Sequence, residues 1–198
     1  MITDEDIKYI FNNLEEKRDI EFKENLNWTT NDAVKAKIAK SLMAFSNIRN
    51  GGYLVIGVRQ NPDNSFTPVG MTTDAFDSHR IDDVMPYVNS KAEPPVNFEM
   101  EKIEKDGMKF VIYKVYEFDE LPVFCKNDDG NSILHKGVIY VRTMRMYETA
   151  PIQNQSEMRE IRKMLVDKNI EELKRLLQQY EERELGDDHQ FDKELGGL

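Results

Sequence analysis

Two stretches near the start of the chain place hydrophobic residues at the spacing of an α-helix. In the first, Thr3–Asp6 resembles a capping box and is followed by the apolar series Ile7, Ile10, Phe11 and Leu14. The second begins near Asn31 or Asp32, and its predicted buried face is Val34, Ile38, Leu42 and Phe45. Glycine readily adopts the positive φ of a helix C-cap, so we expect this helix to end before Gly51-Gly52.

Alternating or continuous apolar residues predict strands around these helices. Ile20 and Phe22 alternate with charged residues, whereas Tyr53–Val58 is continuously apolar, as in a central strand covered on both faces. A third helix is predicted around residues 81–88. In the second half, apolar stretches flank Asp106-Gly107 and the turn at 127–131, which indicates antiparallel hairpins. The pattern predicts an α+β fold, with a mixed, mostly antiparallel sheet packed with helices.

Residues 151–184 return to helical spacing. Asn169–Glu172 forms a second capping box, so we expect two helices with a break near Asp167–Asn169; one long bent helix is the alternative. The predicted organisation is a body at 1–150, a helical hairpin or bent helix at 151–185, and a polar tail at 186–198. The composition of that tail is typical of disorder.

Charge and composition narrow the classes of function. The net charge of −10 argues against bulk attraction to nucleic acid, although about half of the excess lies in the last nineteen residues. Any basic face must therefore be local. No apolar run approaches the ~20 residues of a membrane span, and the acidic N-terminus lacks signal-peptide features. Cys125 is the only cysteine, which leaves no disulfide framework. We expect a cytoplasmic protein.

Charged residues are concentrated at the start of the first predicted strand. Glu16 and Glu21 stand five residues apart, and Lys23 follows. The later turn at Gly51-Gly52 could offer backbone N–H groups to a phosphate. It is not a Walker A loop, because the lysine and the hydroxyl residue of that motif are absent. From the residues alone, the two carboxylates fit either a solvated surface or a site.

Three segments in order resemble the Schlafen-type AlbA-like domain: Glu16–Lys23, Ala44–Gly52 and Tyr53–Val58. The similarity covers roughly residues 10–150 and continues through further pieces of the body: Val69-Gly70, Phe110–Val115, Pro122, Val138–Arg142 and Thr149-Ala150. That domain is regarded as a nucleic-acid-binding module and is sometimes classed as divergent ATPase-like. The resemblance implies a nucleic-acid-binding regulatory protein, such as a transcriptional regulator, that contacts DNA or RNA.

The same resemblance implies an alternative, a metal-dependent ribonuclease of structured RNA. In nuclease members, three carboxylates collect a divalent metal beside a lysine. Glu16 and Glu21 match the first two carboxylates and Lys23 matches the lysine, so Mg²⁺ or Mn²⁺ would be the cofactor; otherwise none is expected. Arg59 stands where the third carboxylate would lie, and Asp63 could replace it only if its turn folds back. Arg59 shifts the prediction from enzyme toward binding protein.

Arginines at strand ends and turns complete the predicted nucleic-acid interface, because a guanidinium can fork onto a phosphate. The predicted contacts are Lys23, Arg49, Gly51, Gly52, Arg59, Arg142 and Arg145. The second helix also carries Lys35, Lys37 and Lys40, which fit either a solvated face or phosphate contacts. A third hypothesis, favoured by the net charge, is a non-catalytic protein-interaction domain. The C-terminal apolar face of Leu173, Leu176, Leu177 and Tyr180 predicts a homodimer.

Overall fold

The structure is a computed structural model that describes residues 2–12 and 14–195, with side chains as far as residue 179. Within these ranges the helices are α1 (Asp4–Asn12), α2 (Asp32–Ser46), α3 (Thr73–Ser78), α4 (Ile81–Lys91) and α5 (Gln155–Leu195). The strands are β1 (Ile20–Lys23), β2 (Gly52–Ile56), β3 (Val58–Gln60), β4 (Phe66–Pro68), β5 (Ala92–Glu93), β6 (Phe98–Lys105), β7 (Met108–Val115), β8 (Phe124–Cys125), β9 (Tyr140–Arg142) and β10 (Thr149–Pro151).

A mixed four-stranded sheet in the order β1-β2-β7-β6 organises the body. The edge strand β1 runs parallel to β2, with Ile20 opposite Tyr53, whereas β2–β7 and β6–β7 are antiparallel. The β6–β7 hairpin turns at Asp106-Gly107, as predicted, and both residues have positive φ. Two-stranded sheets β3–β4, β5–β8 and β9–β10 complete the predicted α+β fold.

The side-chain alternation of β1 separates the two faces of the sheet. Ile20 and Phe22 point to one face and join Ile10 of α1 in a buried cluster with Val55 and Ile112. Residues of opposite parity in β1, including Glu21, therefore point to the other face, which α2 covers. The predicted division of β1 into an apolar and a charged face is confirmed.

Helix α2 begins with a polar cap and is followed by a glycine turn. The Asn31 side chain accepts a hydrogen bond from the Val34 N–H at 3.0 Å, which confirms the predicted N-terminus. After α2 the chain turns tightly against the sheet at Gly51-Gly52. A Cβ on Gly51 would lie 1.9 Å from the Val115 carbonyl oxygen, and one on Gly52 would lie 2.3 Å from the Phe45 ring. These glycines permit close packing between α2 and the sheet.

The predicted strand Tyr53–Val58 is divided at Gly57, whose φ is +117°. Beyond this glycine, β3 leaves the main sheet and pairs with β4. The two apolar segments around 121–125 and 138–141 also differ from a simple hairpin. They meet through a hydrogen bond from the Cys125 N–H to the Val138 carbonyl, but β8 pairs with β5 and β9 pairs with β10.

The C-terminal region is a single helix, α5, and the predicted break near Asp167–Asn169 is not found. Asn169 lies inside the helix, where an asparagine costs only a few tenths of a kcal/mol and neither proline nor glycine is nearby. The helix continues to Leu195, through most of the segment whose composition suggested disorder. The chain forms two compact units, Met1–Ile161, which we call the body, and Arg162–Leu198. Within the described residues, no helix is both long and apolar enough to cross a membrane.

Candidate functional site

A cavity of about 560 Å³ lies in the body where β1, α2 and the β9–β10 hairpin come together. Its volume is within the range of about 300–1,000 Å³ that is usual for small-ligand sites. Charged residues line it from all three elements: Glu16, Glu21, Lys23, Lys37, Lys40, Arg142 and Glu148. The remaining lining residues are Leu26, Ile38, Ser41, Leu54, Ile133, Met146, Tyr147 and Thr149.

Glu21 is a buried carboxylate at the wall of this cavity. Its Oε1 lies 2.7 Å from Lys23 Nζ, two residues along the same strand. Its Oε2 lies 3.2 Å from Arg142 Nη1 and accepts a hydrogen bond from Thr149 Oγ1 at 3.2 Å. Both carboxylate oxygens are therefore engaged by protein donors.

Two positive charges keep Glu21 ionised. Burial by itself would raise the pKa of this carboxyl group, because a charged group loses hydration inside the protein. The charges of Lys23 and Arg142, together with hydrogen bonds from Lys23 and Ser41, outweigh burial and lower the pKa below its ordinary value. Glu21 is an anion compensated from two sides.

Arg142 is also buried, and its guanidinium is bound by the protein itself. Nε donates to the Arg18 carbonyl at 3.3 Å, and Nη2 donates to the carbonyls of Lys17 and Ile20 at 3.2 and 3.3 Å. These contacts tie β9 to the turn that leads into β1. Arg142, predicted as a phosphate contact, lies at the cavity but positions Glu21 and β1.

Glu16 is half-buried and binds a backbone N–H group on the edge strand of the sheet. Its Oε1 accepts a hydrogen bond from the Phe22 N–H at 3.1 Å, a donor on the edge strand β1. Glu16, Glu21 and Lys23 all line the cavity, so the structure brings the predicted charged cluster together.

The donor set does not fit a divalent metal ion. Arg59 binds Glu24 instead of either predicted ligand, with Nη2 2.8 Å from Glu24 Oε1. Asp63 accepts hydrogen bonds from the Ser65 N–H and hydroxyl, so it remains in its own turn. No group of three histidine, cysteine, aspartate or glutamate residues suited to a metal occurs in the part of the chain that the structure describes. Lys23 and Arg142 already neutralise Glu21.

The other predicted contacts do not form one groove. Arg49 lies before the start of β2, whereas Arg59 lies in β3, beyond the other end of β2. Arg145 is on the loop between β9 and β10. None of the three lines the cavity. Gly51 and Gly52 are buried, and the Gly51 N–H donates to the Ile48 carbonyl at 3.1 Å.

Two of the three lysines on α2 face the cavity. Lys37 is exposed, and Lys40 lies one turn further along with its Nζ 5.0 Å from the centre of the Tyr140 ring. Lys35 points elsewhere, toward Asp32 at 3.3 Å. Helical spacing could have grouped Lys37 with Lys40, but only the tertiary fold shows which of the three lysines meet Lys23.

The hairpin loop at residues 143–148 contains the predicted contact Arg145, but its apolar residues were not predicted to belong to the site. This loop carries three large apolar side chains that are exposed, those of Met144, Met146 and Tyr147. Met146 and Tyr147 line the cavity. A hydrogen bond from the Thr143 N–H to the Glu148 carbonyl at 2.9 Å closes the loop. Apolar residues in a short loop between two strands were the signal available in the sequence.

Comparisons with known proteins identify a family for the body. A model of the Schlafen, AlbA_2 family matches residues 16–151. None of the curated proteins compared with the chain matches it significantly.

Two solved structures are similar to the body at low identity. One is the DIP2311 protein from Corynebacterium diphtheriae, at 13% identity and a TM-score of 0.48; the match covers 73% of this chain and 24% of that one. The chain thus spans about a quarter of that protein. The other is the N-terminal domain of a protein from Nitrosomonas europaea described as related to the ATP-dependent DNA helicase RecG. It has 20% identity and a TM-score of 0.43, and the match covers 75% of this chain and 93% of that domain.

Proposed function

The chain belongs to the Schlafen, AlbA_2 family, and we propose that its body binds nucleic acid at the cavity between β1, α2 and the β9–β10 hairpin, as part of a regulatory protein. One observation supports this most strongly. Lys23, Lys37 and Lys40 converge from two elements around a cavity, although the chain carries a net charge of −10.

The local charge balance favours a polyanion. The lining holds four cationic residues against three carboxylates, Glu16, Glu21 and Glu148. Arg142 and Lys23 are both paired with Glu21, whereas Lys37 is exposed on the surface. Lys23, Lys37 and Lys40 project from a strand and an adjacent helix, and ammonium groups bind phosphates as point charges. Phosphate contacts of this kind provide affinity without reading sequence.

The ribonuclease alternative has weaker support. Its metal would need Glu21, whose two oxygens are bound by Lys23, Arg142 and Thr149, and it would need a third carboxylate that neither Arg59 nor Asp63 supplies. We therefore propose no metal-dependent step. The protein-interaction hypothesis is an outcome of the binding test.

The test is fluorescence anisotropy with labelled single-stranded and duplex oligonucleotides of DNA and RNA over a salt series. The double variant Lys37→Ala/Lys40→Ala should weaken binding, and the slope of log affinity against log salt should decrease in magnitude by roughly 0.7 per lost phosphate contact on a single strand. The control is Lys105→Ala/Lys136→Ala, which removes the same charge outside the cavity lining. Equal affinity in both double variants would reject this interface, and no binding by the wild type would favour a protein partner.

We also propose that α5 associates with α5 of a second copy to form a homodimer. Considered by itself, this helix exposes Val166, Ile170, Leu173 and Leu177, each between 46% and 58% accessible. Their spacing of four, three and four residues is the a/d repeat of a coiled coil. An apolar stripe with this spacing is buried efficiently by an identical helix.

A further inference from the structure

We propose that the cavity accommodates an unpaired nucleobase with its attached phosphate, and that Tyr147 and Met146 form its cover. This inference rests on the proposed function and specifies the ligand class: single-stranded nucleic acid or a free nucleotide, in preference to a duplex. Three features of the lining support it, namely the apolar walls, the position of the lysines and the exposed loop at 143–148.

The walls of the cavity are suited to a flat heteroaromatic ring. Leu26, from the segment after β1, and Ile133 are partly exposed and contribute aliphatic surface, while Ile38 and Leu54 are almost fully buried behind them. A site for phosphate alone has no need of aliphatic walls, because lysines on an open surface suffice. A base has two apolar faces, whose contact with apolar and aromatic side chains is favourable and tolerant of sequence.

The lysines stand beside these walls. Lys37 and Lys40 project from the same helix as Ile38, and Lys23 lies across from them on β1, with its Nζ also 2.7 Å from Glu21 Oε1. A phosphate held by these ammonium groups would leave its own base within reach of the aliphatic surface. The arrangement therefore matches the two parts of one nucleotide, the anion at the lysines and the ring in the cavity.

The loop at 143–148 provides an aromatic cover. Met146 is 73% exposed and Tyr147 is 40% exposed, which is unusual for large apolar side chains so close together on a short loop. Tyr147 has φ of +51°, in the left-handed region that non-glycine residues seldom occupy. Such backbone conformations concentrate at sites of function, where they hold a side chain in a required place. Here they hold a phenol ring at the cavity wall.

A duplex is a poor match for this cavity. Within a double helix the faces of each base are stacked, and extruding a base costs a few kcal/mol. A single strand or a free nucleotide presents its base without that cost. The cavity of about 560 Å³ is large enough for such a ring and too small for a duplex, so its size favours an unpaired base.

The experiment compares three probes with three variants. The probes are a single-stranded oligonucleotide that contains 2-aminopurine, the same sequence as a blunt duplex, and AMP as a competitor. The variants are Tyr147→Gly, Tyr147→Phe and the control Met144→Ala, an exposed residue of the same loop that does not line the cavity. Glycine accepts the positive φ of position 147, so Tyr147→Gly should fold normally, which circular dichroism and thermal melting check.

We expect Tyr147→Gly to weaken single-strand binding by about 5- to 150-fold, the range that corresponds to one stacked base. Tyr147→Phe and Met144→Ala should stay near wild type, and the wild type should prefer the single strand to the duplex. If AMP displaces the oligonucleotide, a free nucleotide is sufficient to occupy the cavity. If AMP does not displace it, the ligand is a single strand.

The outcomes separate this inference from the proposed function. If Tyr147→Gly binds like wild type, or if duplex and single strand bind equally, the base-binding inference is overturned. If in that case Lys37→Ala/Lys40→Ala still weakens binding, the nucleic-acid interface stands without the base pocket. If no probe binds the wild type, both are wrong.

Discussion

Arg142 and Glu21 form an ion pair that is almost completely shielded from solvent, with Nη1 3.2 Å from Oε2 and side-chain exposures of 2% and 6%. The two residues are 121 positions apart and join β9 to the edge strand β1 at the wall of the cavity. Since Arg142 also binds the carbonyls of the turn before β1, the pair fixes the position of Glu21 and Lys23. Glu21, which matches the family's motif, therefore has a structural role in this protein, because it joins β1 to β9.

Replacing Arg142 with methionine should destabilise the body strongly. The change leaves the buried carboxylate of Glu21 with Lys23 as its only cationic partner and removes the donor from three carbonyl groups. Breaking one side of a buried pair costs about 3–5 kcal/mol, and we expect a loss of this size in the free energy of unfolding. Urea denaturation followed by circular dichroism measures it.

Glu21→Gln is the matched comparison, because the amide oxygen can still accept hydrogen bonds. It should cost less than Arg142→Met. The double variant Arg142→Met/Glu21→Gln should cost less than the sum of the two single changes, since no uncompensated charge remains. Strict additivity of the single changes would show that the two residues act independently and would contradict the pair.

The stability of the protein should fall as the pH is lowered through the range in which carboxylates titrate. The pKa of Glu21 is lower in the folded state than its ordinary value of 4.5, through Lys23 and Arg142 and despite burial. A lowered carboxylate pKa contributes stability that is fully present above the ordinary value and is lost as the pH falls toward the folded-state value. Urea midpoints at pH 7, 5, 4 and 3 follow this loss.

Glu21→Gln again provides the control for the pH series. Asp6, whose pKa is also lowered, and His79, whose pKa is lowered mainly by burial, contribute to the pH dependence of both proteins. The difference between wild type and Glu21→Gln isolates the contribution of Glu21. This difference in the free energy of unfolding should be largest at pH 7 and should decrease as the pH falls below about 4.5. A difference independent of pH would contradict the lowered pKa of Glu21 in the folded protein.

Asn47 should be difficult to replace although it does not line the cavity. Its side chain is buried, and it donates to the carbonyls of Val123 and Tyr140 at 2.7 and 2.9 Å while accepting from the Val123 N–H at 2.8 Å. At about 1 kcal/mol for each hydrogen bond, Asn47→Leu should cost roughly 3 kcal/mol. Thermal melting and urea denaturation measure the loss. Asn131→Leu, on an exposed loop, should have a much smaller effect.

The sequence correctly predicted which side chains of β1 point to each face of the sheet, but it could not predict that Glu21 is buried in an ion pair. The alternation of Ile20 and Phe22 with charged residues correctly oriented the strand, because side-chain direction follows from strand geometry alone. The burial of Glu21 could not be predicted from the same pattern, since its partner Arg142 lies 121 residues away. A charged residue in an alternating strand is usually solvated, whereas here α2 and the β9–β10 hairpin bury Glu21.

Arg59→Ala should alter nucleic-acid affinity less than Lys37→Ala/Lys40→Ala. The sequence placed Arg59 among the phosphate contacts, but its guanidinium is paired with Glu24 at an exposed position and does not line the cavity. The same oligonucleotides and salt series measure the comparison. Glu24→Ala, which releases the guanidinium, is a useful second variant. A greater loss for Arg59→Ala than for the lysine variant would move the interface to the end of β3.

A charge placed in the apolar stripe of α5 should convert the proposed homodimer into a monomer. Leu173 occupies a d-type position between Ile170 and Leu177, so Leu173→Lys would bring two ammonium groups together in the centre of the contact. Sedimentation equilibrium of the full chain measures the association constant, and circular dichroism confirms that the variant still folds.

Glu172→Lys is the matched control for the α5 prediction, because it changes an adjacent exposed position outside the a/d stripe. We expect it to leave the association constant near that of the wild type, whereas Leu173→Lys should sediment as a monomer. A wild type that is monomeric at every concentration measured would contradict the dimer. Equal association of wild type and Leu173→Lys would show that any dimer forms through another surface, since an unpaired lysine in a coiled-coil core opposes close packing of the two helices.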